Sequence, residues 1–148
     1  MQTNNTNFFK GRKVVVVGLG KSGISAIRKL SLIAGEVLAI DNNPLIDVEP
    51  HLRFVKEVKD FKLNLILDEK VNENIKILDD AALVILSPGV AANVGIVAGA
   101  EEKSIPVWSE LEFGWQLLSE ARRKNTVAVT GTNGSMRICT SSSCCWGD

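Results

Sequence analysis

The sequence predicts an α/β fold built on a doubly wound, mainly parallel sheet. Three observations carry this expectation: short β-branched runs that stop on glycine or proline, helical periodicity between them, and a glycine-rich turn at the first strand-to-helix junction. Alternating strands and helices of this kind connect with a right-handed sense.

The first strand is Lys13 to Val17, four valines in a row ending on Gly18, the form of a parallel strand buried on both faces. From Ser22 the apolar residues Ile24, Ile27, Leu30 and Ile33 recur at helical spacing, and Gly35 stands where a helix C-terminal glycine is expected. Glu36 to Ile40 reads as the second strand, closed by Asp41-Asn42-Asn43-Pro44. Between Leu45 and Asp80 the periods are weak; Arg53 to Val55 and Leu63 to Leu67 read as strands and Lys70 to Leu78 as a helix. Ala82 to Leu86 is a buried strand stopped by Ser87-Pro88-Gly89. A helix is expected over Asn93 to Lys103, then a strand over Ile105 to Trp108.

Ser109 and Glu112 have capping-box spacing ahead of Phe113, Trp115, Leu117 and Leu118, and Arg122-Arg123-Lys124 suits the negative end of that helix's dipole. Thr126 to Val129 is another short strand and leads into Thr130-Gly131-Thr132-Asn133-Gly134. Beyond Gly134 no element period survives and the composition turns to serine and cysteine, which points to a frame change or an artificial ending there and to a disordered tail.

With 148 residues, 45% of them hydrophobic, the chain can bury one full domain and the start of another. Lysine plus arginine and aspartate plus glutamate balance at 17 each, which removes the net field that nonspecific binding to nucleic acid or an anionic membrane needs. No apolar run approaches the roughly 20 residues of a membrane span, and the start lacks the apolar core of a secretory signal. All three cysteines (Cys139, Cys144, Cys145) fall in the tail, so the main body holds no disulfide and a cytoplasmic location is expected. A metal clip on those cysteines is disfavoured, because adjacent cysteines suit a tetrahedral site poorly and no fourth ligand lies nearby.

Gly18-Leu19-Gly20-Lys21-Ser22-Gly23 is a G-x-G-x-x-G in the strand-to-helix context that the motif requires. Its glycines permit a tight turn, close approach of a ligand and close packing of helix on strand, and the helix N-terminus beyond offers N–H groups to an anion. Asp41, roughly 20 residues on, stands where an acid in a dinucleotide site binds a ribose hydroxyl. The same acid also suits a plain turn before Asn42-Asn43-Pro44. Loop and acid together leave open an NAD(P) site, another nucleotide site and a noncatalytic binding module. The second glycine stretch, Gly131 to Gly134, also follows a strand, but Ser135 and Met136 occupy the places of the lysine and hydroxyl of a P-loop. Without that lysine, charge on a transferring phosphoryl group is not neutralised. Trp108, Phe113 and Trp115 read as packing groups, His51 as exposed, and Glu110 and Glu112 as helix-start acids.

Taken in order, the G-L-G-K-S-G of Gly18 to Gly23, the L-S-P-G-V of Leu86 to Val90, the S-E-L-E-F of Ser109 to Phe113 and the V-A-V-T-G-T-N-G of Val127 to Gly134 resemble the MurD family of D-glutamate-adding ligases of peptidoglycan synthesis. The resemblance runs from about Lys10 to Gly134, with no motif between Asp41 and Ser87. It implies a Rossmann-like domain over 1–108 that binds the UDP-sugar substrate UDP-MurNAc-L-alanine, the start of a P-loop-type ATP-binding central domain over 109–134, and an aberrant tail over 135–148. By the same resemblance Leu19, Gly20, Lys21 and Ser22 line the uridine diphosphate, Asp41 and Asn42 meet the uracil, and Ser87, Pro88 and Gly89 form the opposite wall. Asn43 stands where some relatives place an arginine on the base.

The intact family enzyme uses ATP and Mg²⁺ to phosphorylate a carboxylate that the amine of D-glutamate then attacks. Nearly all the groups for that chemistry lie beyond this sequence, so the chain is expected to have no catalytic residue, to need no cofactor and to be inactive alone.

Overall fold

The computed structural model describes residues 6–91, 94–130, 136–140 and 143–144. Five strands, β1 (Lys13–Val17), β2 (Glu36–Asp41), β3 (Lys62–Leu67), β4 (Ala81–Leu86) and β5 (Val107–Ser109), form an all-parallel sheet in the order β3-β2-β1-β4-β5. The chain builds outward from β1 to β3 and then returns to place β4 on the other side of β1. Val17 therefore lies between Ile40 of β2 and Leu86 of β4.

Alternation along the strands explains why both faces are covered. Val14 and Val16 enter one core with Ala39, Leu83 and Ile85, whereas Val15 and Val17 enter a second with Leu38, Ile40 and Val84. Helix α1 (Thr6–Phe9) and helix α2 (Lys21–Leu30) supply Phe9, Ala26, Ile27 and Leu30 to the first core. After the short helix α3 (Glu49–Leu52), helix α4 (Gly95–Glu102) supplies Ile96, Val97 and Ala100 to the second. The four valines of this central strand are 0–1% exposed, so the strand must be apolar on both sides there, which is why Val14 to Val17 suffice to specify β1.

Several local expectations are corrected. Gly35 does not end α2, because the helix stops at Leu30 and Ser31 follows as its cap; Gly35 instead passes the backbone of Gly11, whose Cα lies 2.8 Å from where a Cβ would stand. Arg53–Glu57 is a 3-10 helix and not a strand. Lys70 to Leu78 is two 3-10 turns, Val71–Glu73 and Ile75–Leu78, because the Asn74 side chain accepts the Lys76 N–H and starts a new turn.

Ser109 caps helix α5 (Glu110–Leu117) by accepting the Glu112 N–H at 3.1 Å, as its spacing requires. The Glu112 carboxylate takes the Gln116 amide, so only half of the capping box closes. The helix expected to continue to Lys124 breaks after Leu117. Ser119 caps a separate helix α6 (Glu120–Lys124), and Arg123 turns back to donate to the carbonyls of Trp115 and Gln116 at the open end of α5.

Helix α5 packs on the parallel sheet: Phe113 is 2% exposed in the first core and meets Phe9 edge-on at 5.8 Å. Trp108 stacks beside Phe8 and Phe9, which confirms packing as the role of these aromatics. Strand β6 (Thr126–Thr130) does not join this sheet. It pairs antiparallel with β7 (Met136–Thr140), which pairs with β8 (Ser143–Cys144). The tail, expected to lack elements, thus carries two strands, since an apolar strand with unpaired N–H and C=O groups takes up an adjacent segment.

Candidate functional site

The carboxyl ends of β1, β2 and β4 converge where the chain order reverses, the place at which open α/β sheets bind ligands. Gly18 leaves β1 with φ +88°, a conformation that favours glycine, and a Cβ there would stand 2.6 Å from Val90 Cγ2. Gly23 is equally constrained, since its Cβ would fall 1.9 Å from the Gly18 carbonyl oxygen. Gly20 has open space around it, as expected of the position that a ligand approaches. The tight turn at Gly18 and the close packing at Gly23 are roles that the sequence assigned to the motif.

Side chains hold the loop from both neighbouring strands. The Leu19 N–H donates to Asp41 Oδ2 at 2.7 Å, and the Asn43 N–H donates to Asp41 Oδ1 at 2.9 Å. Asp41 is therefore a turn residue and a tie to the glycine loop at once. The Ser87 hydroxyl, buried at 6% exposure, donates to the Gly18 carbonyl at 2.8 Å. Sixty-nine positions of sequence separate that pair, and no local pattern signals it.

Of the residues named from sequence, the structure brings Gly18 to Gly23, Asp41 to Asn43 and Ser87 to Gly89 to one edge of the sheet. Gly20, Lys21, Asn42, Asn43, Pro88 and Gly89 are exposed, Ser22 and Asp41 are half-buried, and Leu19 and Ser87 are buried. Helix α2 begins at Lys21 with Gly20 as an N-cap that offers no side-chain acceptor, so its first N–H groups stay available. Lys21 has no ionic or hydrogen-bonding partner among the described residues. A cation at a helix N-terminus opposes the macrodipole, and both together favour an anion. Sequence reasoning missed Val90, whose methyl closes the turn over Gly18 and whose N–H bonds the Ser87 carbonyl.

The other charged cluster lies at the opposite end of the strands. Lys13 donates to the carbonyls of Ile77 and Asp79, and the hydrogen-bonded Lys103 ammonium at 2.7 Å holds the Asp79 carboxyl below the usual carboxylate range. His51 is exposed, as its surroundings suggested.

Gly131, Thr132, Asn133 and Gly134 lie outside the described residues. A phosphate-binding loop runs from a strand into a helix, whereas β6 is followed by the antiparallel β7. With Ser135 and Met136 in place of lysine and hydroxyl, the residues present do not fit ATP with Mg²⁺, and no step is derived through them. Among the described residues no group of histidine, cysteine and acidic side chains stands together to hold a metal, and no helix is long and apolar enough to cross a membrane.

A five-stranded parallel sheet covered by helices on both faces, with a glycine loop at its switch point, defines a Rossmann-like α/β domain. A likeness of fold at 14% identity and TM-score 0.51 links it to a Listeria monocytogenes shikimate 5-dehydrogenase solved with shikimate and NAD, covering 78% of this chain and 55% of that one. The family is narrower: residues 12–109 match the model described as Mur ligase MurD-like, N-terminal domain, and the chain belongs to that family.

Curated relatives named UDP-N-acetylmuramoylalanine--D-glutamate ligase include one from Ligilactobacillus salivarius, 34% identical over 85% of this chain and 25% of its own length. Another, from Lachnoclostridium phytofermentans, is 36% identical over 85% of this chain and 26% of its own length. The chain thus spans about a quarter of the length of the curated relatives that it matches.

Proposed function

We propose that this chain is the UDP-MurNAc-L-alanine-binding portion of an ATP-dependent D-glutamate ligase of the bacterial cytoplasm, and that it binds without catalysing. The observation that carries this reading is the loop arrangement: the uncapped N-terminus of α2, with Gly20 open and Lys21 without a partner among the described residues, lies beside the β2 and β4 loops in a MurD-like domain. A diphosphate suits the first N–H groups of α2 and the Lys21 ammonium. Asp41, Asn42 and Asn43 present donors and acceptors for the uracil end, and Pro88 and Gly89 give a low wall that leaves room for the sugar. Leu19 and Ser87 are buried and hold this loop from within.

The lack of catalysis rests on the second glycine stretch, where neither Ser135 nor the following strand supplies what phosphoryl transfer requires. ATP and Mg²⁺ belong to the intact enzyme in this reading, and this chain needs neither.

Thermal shift with UDP-MurNAc-L-alanine, NAD and ATP in parallel tests the proposal. A ligand that binds only the folded state at 100 times its Kd stabilises by about 2.7 kcal/mol. The UDP-sugar alone is expected to raise the transition; a rise with NAD alone would overturn the ligase reading, and a rise with ATP would overturn the account of the second loop.

A further inference from the structure

Two of the side-chain bonds at the glycine loop act on the same peptide unit. The Gly18 carbonyl accepts the Ser87 hydroxyl at 2.8 Å, and the Leu19 N–H donates to Asp41 Oδ2 at 2.7 Å. That carbonyl and that N–H are the two polar ends of the single peptide plane joining Gly18 to Leu19. Adjacent backbone bonds frame it, with Gly18 N–H donating to Ile40 O at 2.9 Å and Ser87 N–H to Val17 O at 3.0 Å. Space around the carbonyl is closed, because a Cβ on Gly23 would fall 1.9 Å from that oxygen and 3.0 Å from Ser87 Oγ. No side chain can enter from the helix side to replace the serine.

We propose that Asp41 and Ser87 are paired positioning residues for the anion-binding loop, clamping the Gly18–Leu19 peptide plane from β2 and β4 so that its carbonyl stays turned away from the ligand. The Leu19 N–H is spent on Asp41, so a diphosphate is met from Lys21 onward by the N–H groups of Lys21, Ser22 and Gly23, ahead of Ile24, which bonds back to Gly20. Were the plane to rotate, a carbonyl oxygen would face the anion and repel it. Ser87 acts through Gly18 and touches no ligand atom in this account. The inference rests on the proposed UDP-sugar reading only for its binding arm.

Hydrogen exchange of the Gly18 and Leu19 amides, both hydrogen-bonded at the clamped plane, tests the clamp in the full chain without ligand. Ser87→Ala is expected to speed their exchange roughly tenfold, the scale of one lost hydrogen bond. Ser31→Ala removes a second serine hydroxyl buried among the described residues, which donates to Arg28 O, and is expected to leave the loop amides unchanged. Asp41→Asn replaces one accepting oxygen with a donor and is expected to speed the same amides. Because both residues hold one plane, the double variant is expected to match the faster single variant, whereas multiplied effects would show independent roles and overturn the clamp.

Loop exchange in Ser87→Ala equal to wild type would also overturn it. Should Ser87→Ala fail to fold, Asp41→Asn at its half-buried position carries the test with the same outcomes. In the binding arm, Ser87→Ala is expected to raise the Kd for UDP-MurNAc-L-alanine roughly tenfold. An unchanged Kd would contradict the positioning role; absence of binding by the wild type would defeat the functional reading and leave the exchange arm to decide the clamp.

Discussion

Two glycine-rich stretches follow apolar strands in this chain, and they end in different structures. Gly18 to Gly23 leaves a strand paired on both sides and enters a ten-residue helix, so its glycines sit among fixed neighbours with N–H groups left open at the helix start. Gly131 to Gly134 follows β6, whose partner is the antiparallel β7. The first stretch has the form of an anion-binding loop because of what comes after it. A glycine motif acquires its chemistry from the helix that follows and from the strands that clamp it, and the second stretch lacks the helix.

The largest effect expected on this contrast is at Phe113, which ties α5 to the parallel sheet and not to β6. Phe113→Ala should cost about 3–5 kcal/mol in urea unfolding of the parallel-sheet unit. A cost below about 1 kcal/mol would assign α5 to the region beyond. Next is Gly23→Ala, expected to cost about 3 kcal/mol because backbone must move to admit the methyl. Gly20→Ala, by contrast, meets open space and should change stability by less than about 1 kcal/mol, which a matched pair of denaturation curves will show. Ser109→Ala removes a cap and should cost about 1 kcal/mol. The smallest effect is at the second stretch: Ser135→Lys with Met136→Ser restores the lettering of a phosphate loop, yet ATP should still not raise the melting temperature. A rise would show that lettering alone suffices and would break the comparison.

How legible each region was follows from the same physics. Strands β1, β2 and β4 are visible in the sequence because burial on both faces demands unbroken apolar runs. The loop was legible down to the separate tasks of Gly18 and Gly23, and the Ser109 cap could be read from its spacing to Glu112. Within residues 45–80 the strand Leu63 to Leu67 was legible and stands as β3, whereas the rest was not, because 3-10 turns leave no long period and because Asp60 and Asp80 adopt positive φ without glycine to announce it. The break between α5 and α6 was hidden by continuous apolar spacing through Leu118, although Ser119 ahead of Glu120 is a start signal. The motifs named residues that come together at one edge of the sheet, whereas the inward bonds of Asp41 and Ser87 depend on strands brought together from distant sequence.

The most direct test of the account is to follow the backbone amide resonances of the whole chain while titrating UDP-MurNAc-L-alanine. Saturable shifts are expected at Gly20, Lys21, Ser22, Asn42, Asn43 and Gly89, with Thr126 to Thr130 unmoved. Shifts confined to β6 and β7, or no saturable shift at the α2 N-terminus, would contradict it.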